Sequence, residues 1–195
     1  RSGRMIYEFI EMSEGDIVSE GHKYNLIVKS DIKNFYPSIY THSIAWAING
    51  KVDARNDRFK HKLLGNKLDK LFQNANDGCT NGIAIGPAIP DLVTEIMLAV
   101  IDTEISKQLK KENIDFIGVR FKDDCRFLCQ NESDAHEILS ILQRNLKGFN
   151  LSISEEKSNV SKLPEGLFRE WTSEYHTYSL RNRYPIKFKV FENTF

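Results

Sequence analysis

The segment from Ile117 to Cys129 constrains the fold more than any other part of this sequence. It reads IGVRF-KDD-CRFLC, so two short apolar runs flank a charged centre. Apolar runs on either side of a short polar link are typical of two strands joined by a tight turn. As a surface turn, the acids Asp123 and Asp124 would need no special explanation. The apolar walls instead favour a buried or rim position, and we predict a hairpin that carries paired acids at its turn.

Periodicity elsewhere predicts the elements around this hairpin. The predicted order is a strand at Asn25–Ser30, helices at Ser38–Asn49, Lys60–Asn74 and Pro90–Lys110, the hairpin, a helix at Asp134–Lys147 and a short strand at Leu151–Ile153. The predicted apolar stripes contain Leu63, Leu64, Leu68, Leu71 and Phe72 in the second helix and Val93, Ile96, Met97, Val100, Ile101 and Ile105 in the third. Ser133 or Asp134 should cap the last helix. This order indicates an α+β fold, an antiparallel sheet with helices packed on one face.

Composition excludes several classes of protein. The 195 residues are 41% hydrophobic, which suffices for a real core and is too apolar for a disordered chain. Because the net charge is zero, a uniformly basic nucleic-acid binder is excluded, although local basic patches are not. The longest apolar run, Ile96 to Ile101, is far shorter than the roughly 20 residues of a membrane-spanning helix. We therefore expect no membrane association, and no secretion leader is visible.

Cysteines and histidines give weaker indications. Three cysteines are few and odd in number, which favours reduced thiols and a cytoplasmic location. Cys125 and Cys129 lack the further Cys or His pair that would complete a zinc site. None of the five histidines has a recognisable catalytic partner pattern, and we expect His42 to pack or cap rather than to react.

Two segments are locally basic. Cations outnumber acids from Lys51 to Lys70, and Arg181, Arg183, Lys187 and Lys189 alternate with aromatic residues near the end of the chain. A solvated face is the simpler interpretation of each. The aromatic-basic tail also suits a nucleic-acid contact, because aromatic rings stack on bases and cations bind phosphates.

A further acid, Asp31, ends the predicted strand at Asn25–Ser30 and is followed by the aromatic pair Phe35 and Tyr36. Carboxylates at the ends of neighbouring strands can converge on divalent metal ions. Two such ions about 4 Å apart clamp the attacking and leaving oxygens of an in-line displacement. Spacing alone leaves a purely structural role for these acids open.

Four segments resemble, in order and separation, motifs of the reverse transcriptase palm. They are DIKNFYPSI at 31–39, GIAIGP at 82–87, FKDD at 121–124 and LSISEEKS at 151–158. The stretch YTHSIAWA at 40–47 is similar to bacterial RNA-directed DNA polymerases, including those that act in phage defence. The resemblance implies a residual fingers segment at 1–23, a palm at 24–165 and post-palm strands at 166–195 that lead towards a primer grip or thumb.

The resemblance also implies roles for individual residues. Asp31 and Asp123 would bind Mg²⁺ or Mn²⁺, Asp124 would be a less essential ligand, and the carbonyl of Ile32 would face a metal ion. These acids would act in catalysis of nucleotidyl transfer.

The implied nucleotide contacts lie in three of the four motifs. Tyr36 would stand against the sugar and exclude a 2′-hydroxyl, although it can also be a core aromatic beside Phe35. Gly86 and Pro87 would bring the backbone close to the templating base pair. Lys157 would neutralise or protonate the departing pyrophosphate, or else be an ordinary exposed lysine.

Three positions depart from the family's pattern. Lys122 stands where the family usually has a small or apolar residue, and its charge would compete with a metal ion unless it points away or holds primer phosphate. Ala84 and Pro90 replace the usual proline and serine of the second motif. Pro90 still suits the first turn of a helix.

The resemblance thus implies an RNA-directed DNA polymerase that uses an RNA template, a DNA primer and deoxynucleoside triphosphates (dNTPs). The bulky Tyr36 disfavours an RNA-directed RNA polymerase. Two alternatives stay open. The first is template-independent or protein-primed synthesis, with Tyr40, Tyr175 or Tyr178 as conceivable acceptors. The second is a degenerate palm that binds nucleic acid without chemistry.

Overall fold

The fold is known from a computed structural model that describes residues 21–86 and 88–163. Several predictions lie outside the described residues. They concern Pro87, Tyr175 and Tyr178, the basic-aromatic tail, the strands at 166–195 and nearly all of the segment at 1–23.

The described part of the chain contains a mixture of helices and strands. In chain order these are β1 (Leu26–Asp31), α1 (Phe35–Ser38), α2 (Thr41–Asn49), α3 (Lys51–Asn56), α4 (Leu64–Ala75), α5 (Ala88–Lys111), β2 (Ile117–Phe121), β3 (Asp124–Cys129), α6 (Glu132–Lys147) and β4 (Asn159–Lys162). The strands form one antiparallel sheet in the order β2-β3-β1-β4. The predicted α+β fold is therefore confirmed.

The main core lies between one face of the sheet and the helices. Because side chains alternate along a strand, Leu26 and Val28 of β1 point to this face together with Phe127 of β3. Ile27 and Leu128 point to the other face, where they form a smaller apolar cluster. As a result, β1 is buried on both faces, which agrees with its uninterrupted apolar sequence.

Helices α5 and α6 form where the periodicity predicts them. Helix α5 begins at Ala88, so Pro90 lies in its first turn, where a missing N–H costs nothing. Ile96 and Val100 were expected in the buried stripe but are exposed, and Leu98 and Leu109 are buried instead. The cap of α6 is neither Ser133 nor Asp134: the side chain of Asn131 accepts a 2.9 Å hydrogen bond from the backbone N–H of Asp134.

The region between residues 38 and 75 differs most from its prediction. The helix predicted at Ser38–Asn49 begins only at Thr41, as α2, and follows the separate short helix α1. The short helix α3 lies in the basic segment, where none was expected. Most of the predicted stripe of α4 is wrong, since Leu64 and Leu71 are 62% and 61% exposed, whereas Phe72 does pack against the main core. Helix α4 instead buries Gly65, Asn66 and Asp69 against its neighbours.

Two smaller observations complete the fold. The predicted strand at Leu151–Ile153 is reduced to one bridge between Ile153 and Ile32. Within the described ranges, no helix has the length and apolarity needed to cross a bilayer.

Candidate active site

Strand pairing brings the three acids to one end of the sheet. In the antiparallel register of β1 and β3, Asp31 is directly opposite Asp124. The ladder continues one residue further, where the N–H of Ile32 donates a 3.1 Å hydrogen bond to the carbonyl of Asp123. Strand pairing thus brings together acids that are about ninety residues apart in the sequence. Asp31, Asp123 and Asp124 lie at the same end of the sheet.

The hairpin turn is as tight as the sequence predicts. Phe121 pairs with Asp124, so only Lys122 and Asp123 form the loop. Lys122 adopts a left-handed φ of 52°, a conformation that two-residue hairpin loops require.

The segment at 151–158 packs against the same end of β1. The N–H of Ser154 donates a 2.7 Å hydrogen bond to the carbonyl of Asp31, and the hydroxyls of Ser30 and Ser158 are 2.9 Å apart. These contacts place Lys157 Nζ 3.0 Å from Asp31 Oδ2. The hydrogen bond to Asp31 raises the pKa of the exposed Lys157 ammonium, so it stays charged at neutral pH. Lys157 is thus an exposed lysine, as one of its two interpretations expects, but it is paired with Asp31.

Negative charge is only partly compensated at this edge. Asp31 is 8% exposed and has Lys157 as its cationic partner. Asp124 reaches solvent, yet partial desolvation and the negative charges of Asp123 and Asp31 raise the pKa of its carboxyl group. A carboxyl group whose ionisation is opposed in this way is a place where an added cation is favourable.

The donor set has the chemistry of a magnesium site. Within the described residues, no three His, Cys, Asp or Glu side chains surround a single point as metal ligands. Mg²⁺ is commonly held by one or two carboxylates together with substrate phosphates, so a full protein cage is not needed. Oxygen donors from Asp31, Asp123 and Asp124 fit such a partial site.

Lys122 is paired with Asp91 and not with the three acids at the end of the sheet. Its ammonium lies 3.2 Å from Asp91 Oδ2 in the first turn of α5 and 6.0 Å from the centre of the Tyr36 ring. Partial burial lowers the pKa of Lys122, but the interactions with Asp91 and Tyr36 together outweigh this effect and leave the pKa raised. The expected competition between Lys122 and a metal ion is therefore relieved by a local acid.

Tyr36 completes a group of three with these residues. Its hydroxyl donates a hydrogen bond to Asp91 Oδ1. This bond lowers the pKa of Asp91, whereas burial first and then the same bond raise the pKa of Tyr36. Phe35 is buried in the core, and the partly buried Tyr36 packs against that core with its ring edge to face on Phe35, at a centroid distance of 5.1 Å. Tyr36 is therefore also an aromatic residue at the border of the core beside Phe35.

The glycine-rich loop is hydrogen-bonded to the segment that carries Tyr36. The N–H of Gly82 donates to the carbonyl of Ile39 at 2.9 Å, and the N–H of Ile83 donates to the carbonyl of Tyr36 at 3.1 Å. Gly86 has a φ of 111°, which side chains rarely adopt. This backbone conformation explains why a glycine occupies position 86, just before α5.

Sequence reasoning missed the residue that fastens the hairpin to α5. Arg120 is nearly buried; its Nε donates to Asp102 at 2.9 Å, and its other nitrogens bind Glu95. It also donates to the carbonyl of Lys122 at 2.9 Å. The available signal was a charged residue inside an otherwise apolar strand.

Comparison with known proteins places the chain in a family. The family model for reverse transcriptase (RNA-dependent DNA polymerase) matches residues 1–187. The chain belongs to the reverse transcriptase family. No curated protein matches it.

Solved structures support the same fold. Apo telomerase from Candida tropicalis superposes with a TM-score of 0.53 at 14% identity, covering 84% of this chain and 33% of that one. Telomerase from Candida albicans with a TWJ fragment of telomeric RNA gives a TM-score of 0.51 at 12% identity, covering 84% and 31%. This reverse transcriptase chain thus spans about a third of the length of those structures, and at such identities the likeness concerns the fold.

Proposed function

We propose that this chain is the palm of an RNA-directed DNA polymerase, which adds deoxynucleotides to a primer 3′ end on an RNA template. One observation carries the proposal: Asp31, Asp123 and Asp124 converge at one end of the sheet with too little positive charge to balance them. The family's name describes this activity, and the structure supplies acids suited to it.

The proposed reaction is an in-line displacement at the α-phosphate of a nucleotide. Asp31 and Asp123 would hold Mg²⁺, with Mn²⁺ as an alternative, while Asp124 and the carbonyl of Ile32 would be auxiliary ligands. When bound, the metal would neutralise charge on the attacking and leaving oxygens. The role of the carboxylates would be to hold the metal in place. Most of the rate gain would come from positioning of the reactants and electrostatic stabilisation of the transition state.

Lys157 has two consecutive roles in this proposal. Before substrate binds, its ammonium is the counter-ion of Asp31. When other cations compensate that carboxylate, the side chain becomes free to meet the phosphates. Its exposure and its positive charge suit a cation that neutralises departing pyrophosphate. Protonation of the pyrophosphate would follow only after other cations compensate Asp31, because that carboxylate raises the pKa of Lys157 and holds its proton.

Tyr36 is proposed to stand against the sugar and exclude a 2′-hydroxyl. Its hydroxyl donates a hydrogen bond to Asp91, and Asp91 is in turn paired with Lys122. These contacts fix the position of the ring. Gly86 and Pro87 are proposed to approach the templating base pair. In this view Asp91 positions the ring and does not itself touch substrate.

Both departures that favoured a degenerate palm have local explanations. Lys122 pairs with Asp91, and Pro90 lies buried in the first turn of α5. Neither residue opposes the proposed chemistry, and we therefore favour an active polymerase over a nucleic-acid binder without catalysis.

The wider setting of the chain is also a proposal. The segments at 1–23 and 166–195 would connect the palm at 24–165 to fingers and thumb, and RNA, primer DNA and dNTPs would be its partners. The motif at 40–47 supports a bacterial type that acts in phage defence. A cytoplasmic location is supported by the free cysteines Cys79, Cys125 and Cys129, because thiols stay reduced in that compartment.

Primer extension with the full-length protein tests the proposal. dNTPs and NTPs are compared with and without an RNA template, for the parent, Asp123→Asn and Asp31→Asn. We expect template-dependent dNTP incorporation that falls by about a thousandfold or more in both variants, because each loses a charge that acts in the transition state.

Glu156→Gln is the matched control, since it removes an exposed acid from the segment that carries Lys157. It should extend primers as the parent does. Incorporation that ignores the template would favour the template-independent alternative, and equal activity in parent and Asp123→Asn would reject the assignment of the site.

A further inference from the structure

A concave site lies between α2, α3, α4 and the loop residue Thr80. Its volume is about 470 Å³. This lies within the size range of small-ligand sites. None of the acids proposed for catalysis lines it, nor does Tyr36 or Lys157. The cavity is therefore a separate feature of the fold.

Aromatic side chains form much of its wall. Tyr40 and Trp46 are partly buried and meet edge to face, with ring centroids 5.6 Å apart. Phe59 also lines the cavity and is 85% exposed. An exposed phenylalanine beside a cavity offers a ring face that a planar ligand can cover, and every nucleobase can stack on such a face.

The charged lining is mainly positive. Arg55, Arg58 and Lys70 all face this cavity and are exposed. Within the described ranges, Arg55 and Lys70 form no ion pair, while Arg58 lies 5.2 Å from the centre of the Phe59 ring. These cations belong to the basic segment from Lys51 to Lys70, for which a solvated face was the simpler interpretation.

The acid in the lining already has hydrogen-bond partners. Asp69 pairs with His42 and accepts a 2.7 Å hydrogen bond from Gln73. His42 thus has a partner that the sequence did not reveal. The Arg55, Arg58 and Lys70 charges remain available for an anionic ligand.

His61 adds an unused polar group. Its Nδ1 is buried and has no hydrogen-bond partner within the described part of the chain. The residue adopts a left-handed φ of 47° in a turn that Asp57 holds, because Asp57 Oδ2 accepts a 2.8 Å hydrogen bond from the N–H of Leu63. A buried polar atom without a partner costs free energy, and a ligand group could remove that cost.

We propose that this cavity binds a nucleotide. The aromatic rings would stack on its base and the cations would bind its phosphate, a combination typical of single-strand nucleic-acid sites. The nucleotide is either free or one unit of a single strand, since both offer the same chemistry. The site does not depend on the proposed polymerase activity.

Binding to the full-length protein tests the inference. The probes are AMP and a single-stranded oligonucleotide of about twelve thymidines, measured by calorimetry and fluorescence anisotropy, respectively. EDTA is present, so that metal-dependent nucleotide binding at the carboxylates does not contribute. The variants are Phe59→Ala and the pair Arg55→Glu with Arg58→Glu. The control pair, Lys62→Glu with Lys67→Glu, makes the same charge change at exposed residues of the basic segment that do not line the cavity.

We expect the Arg55/Arg58 pair to lose about tenfold or more in affinity and Phe59→Ala about fivefold, while the control pair stays within about twofold of the parent. Loss for AMP identifies a free nucleotide, and loss for the oligonucleotide alone identifies a strand. Unchanged affinity in both variants, or an equal loss in the control pair, would overturn the inference. The result is independent of the catalytic assignment, because EDTA removes metal-dependent binding at the carboxylates and the changed residues line this cavity.

Discussion

Two polar clusters of this fold differ in how completely their polar and charged groups are paired. At the end of β1, three acids outnumber the cations that act on them, Lys157 and Arg126, and the pKa of Asp124 is raised. In the seam between α2 and α4, defined by Asn49, Gly65, Asn66 and Asp69, the buried polar side chains are paired. The comparison indicates that incompletely compensated polar groups mark a site for chemistry, whereas compensated ones hold the fold together.

Details of the seam show how complete its pairing is. Asn66 donates a 2.8 Å hydrogen bond to the carbonyl of Ala54 and accepts a 2.9 Å hydrogen bond from Asn49. Gly65 lets the two helices approach closely. Helix α4 is therefore attached through hydrogen bonds and close backbone packing instead of through an apolar stripe.

The largest structural effect is expected from Asn66→Ala. This change leaves the buried carbonyl of Ala54 and the amide of Asn49 without their partner, so the free energy of unfolding should fall by about 2 to 3 kcal/mol. Urea denaturation measures the difference. Asn74→Ala, an exposed asparagine of the same helix, should change it by less than about 0.5 kcal/mol. Equal losses in the two variants would mean that the seam is not a stabilising contact.

This contrast explains what the sequence could predict. β1, α5, α6 and the hairpin follow from apolar periodicity, because each is buried through its apolar side chains. The carboxylate site follows from motif resemblance combined with strand register. Neither signal describes α4, whose leucines suggested an apolar face.

The misses share one physical cause. Asn66 and Asp69 read as surface residues, since nothing local reveals a partner seventeen or more residues away. The pairing of Asp91 with both Tyr36 and Lys122 escapes detection for the same reason. Long-range polar pairing depends on the finished fold and leaves no periodic trace.

A close contact at Gly65 offers a second way to test the seam. A Cβ added there would lie 2.6 Å from Asn49 Nδ2 and 2.9 Å from the backbone Cα of Ala45. Alanine gains about 1 kcal/mol in helix propensity, but overpacking against backbone costs about 2 to 3 kcal/mol. We therefore expect Gly65→Ala to lower the free energy of unfolding by about 1 to 2 kcal/mol in urea titrations.

Combining that change with Asn49→Ala sharpens the result. Removal of the Asn49 side chain relieves only the first contact, so the contact with Ala45 should keep Gly65→Ala destabilising in this background. A gain in stability from Gly65→Ala alone would show that the helices are free to separate at this point.

Tyr36, Asp91 and Lys122 are intermediate between the carboxylate site and the seam. Their polar groups are paired with one another, but they lie beside the proposed position of the nucleotide sugar. Asp91→Ala removes both contacts, and we expect the preference for dNTPs over NTPs in primer extension to fall by roughly fivefold, equivalent to about 1 kcal/mol. Asp91→Asn keeps an acceptor for the tyrosine and should restore part of the preference.

Glu104→Ala is the matched control for this experiment, since it removes an exposed acid elsewhere on α5. It should leave the preference unchanged. A uniform loss of incorporation with both nucleotide types, without a change in their ratio, would assign Asp91 a structural role only.

The smallest effect concerns the charge of Asp124. Burial and the neighbouring acids raise its pKa in the folded protein, so its ionisation opposes folding. Above the raised pKa this cost is fully present, and it disappears as the pH falls towards the unfolded value of about 4, where both states are protonated. Without divalent cations, Asp124→Asn should therefore raise the free energy of unfolding at pH 7, by at most about 1 kcal/mol because solvent screens the charge. The gain should vanish in acid and shrink when Mg²⁺ is added, whereas Glu156→Gln should show neither dependence. A variant less stable than the parent at pH 7 would mean that the carboxylate of Asp124 is paired as completely as the polar groups of the seam.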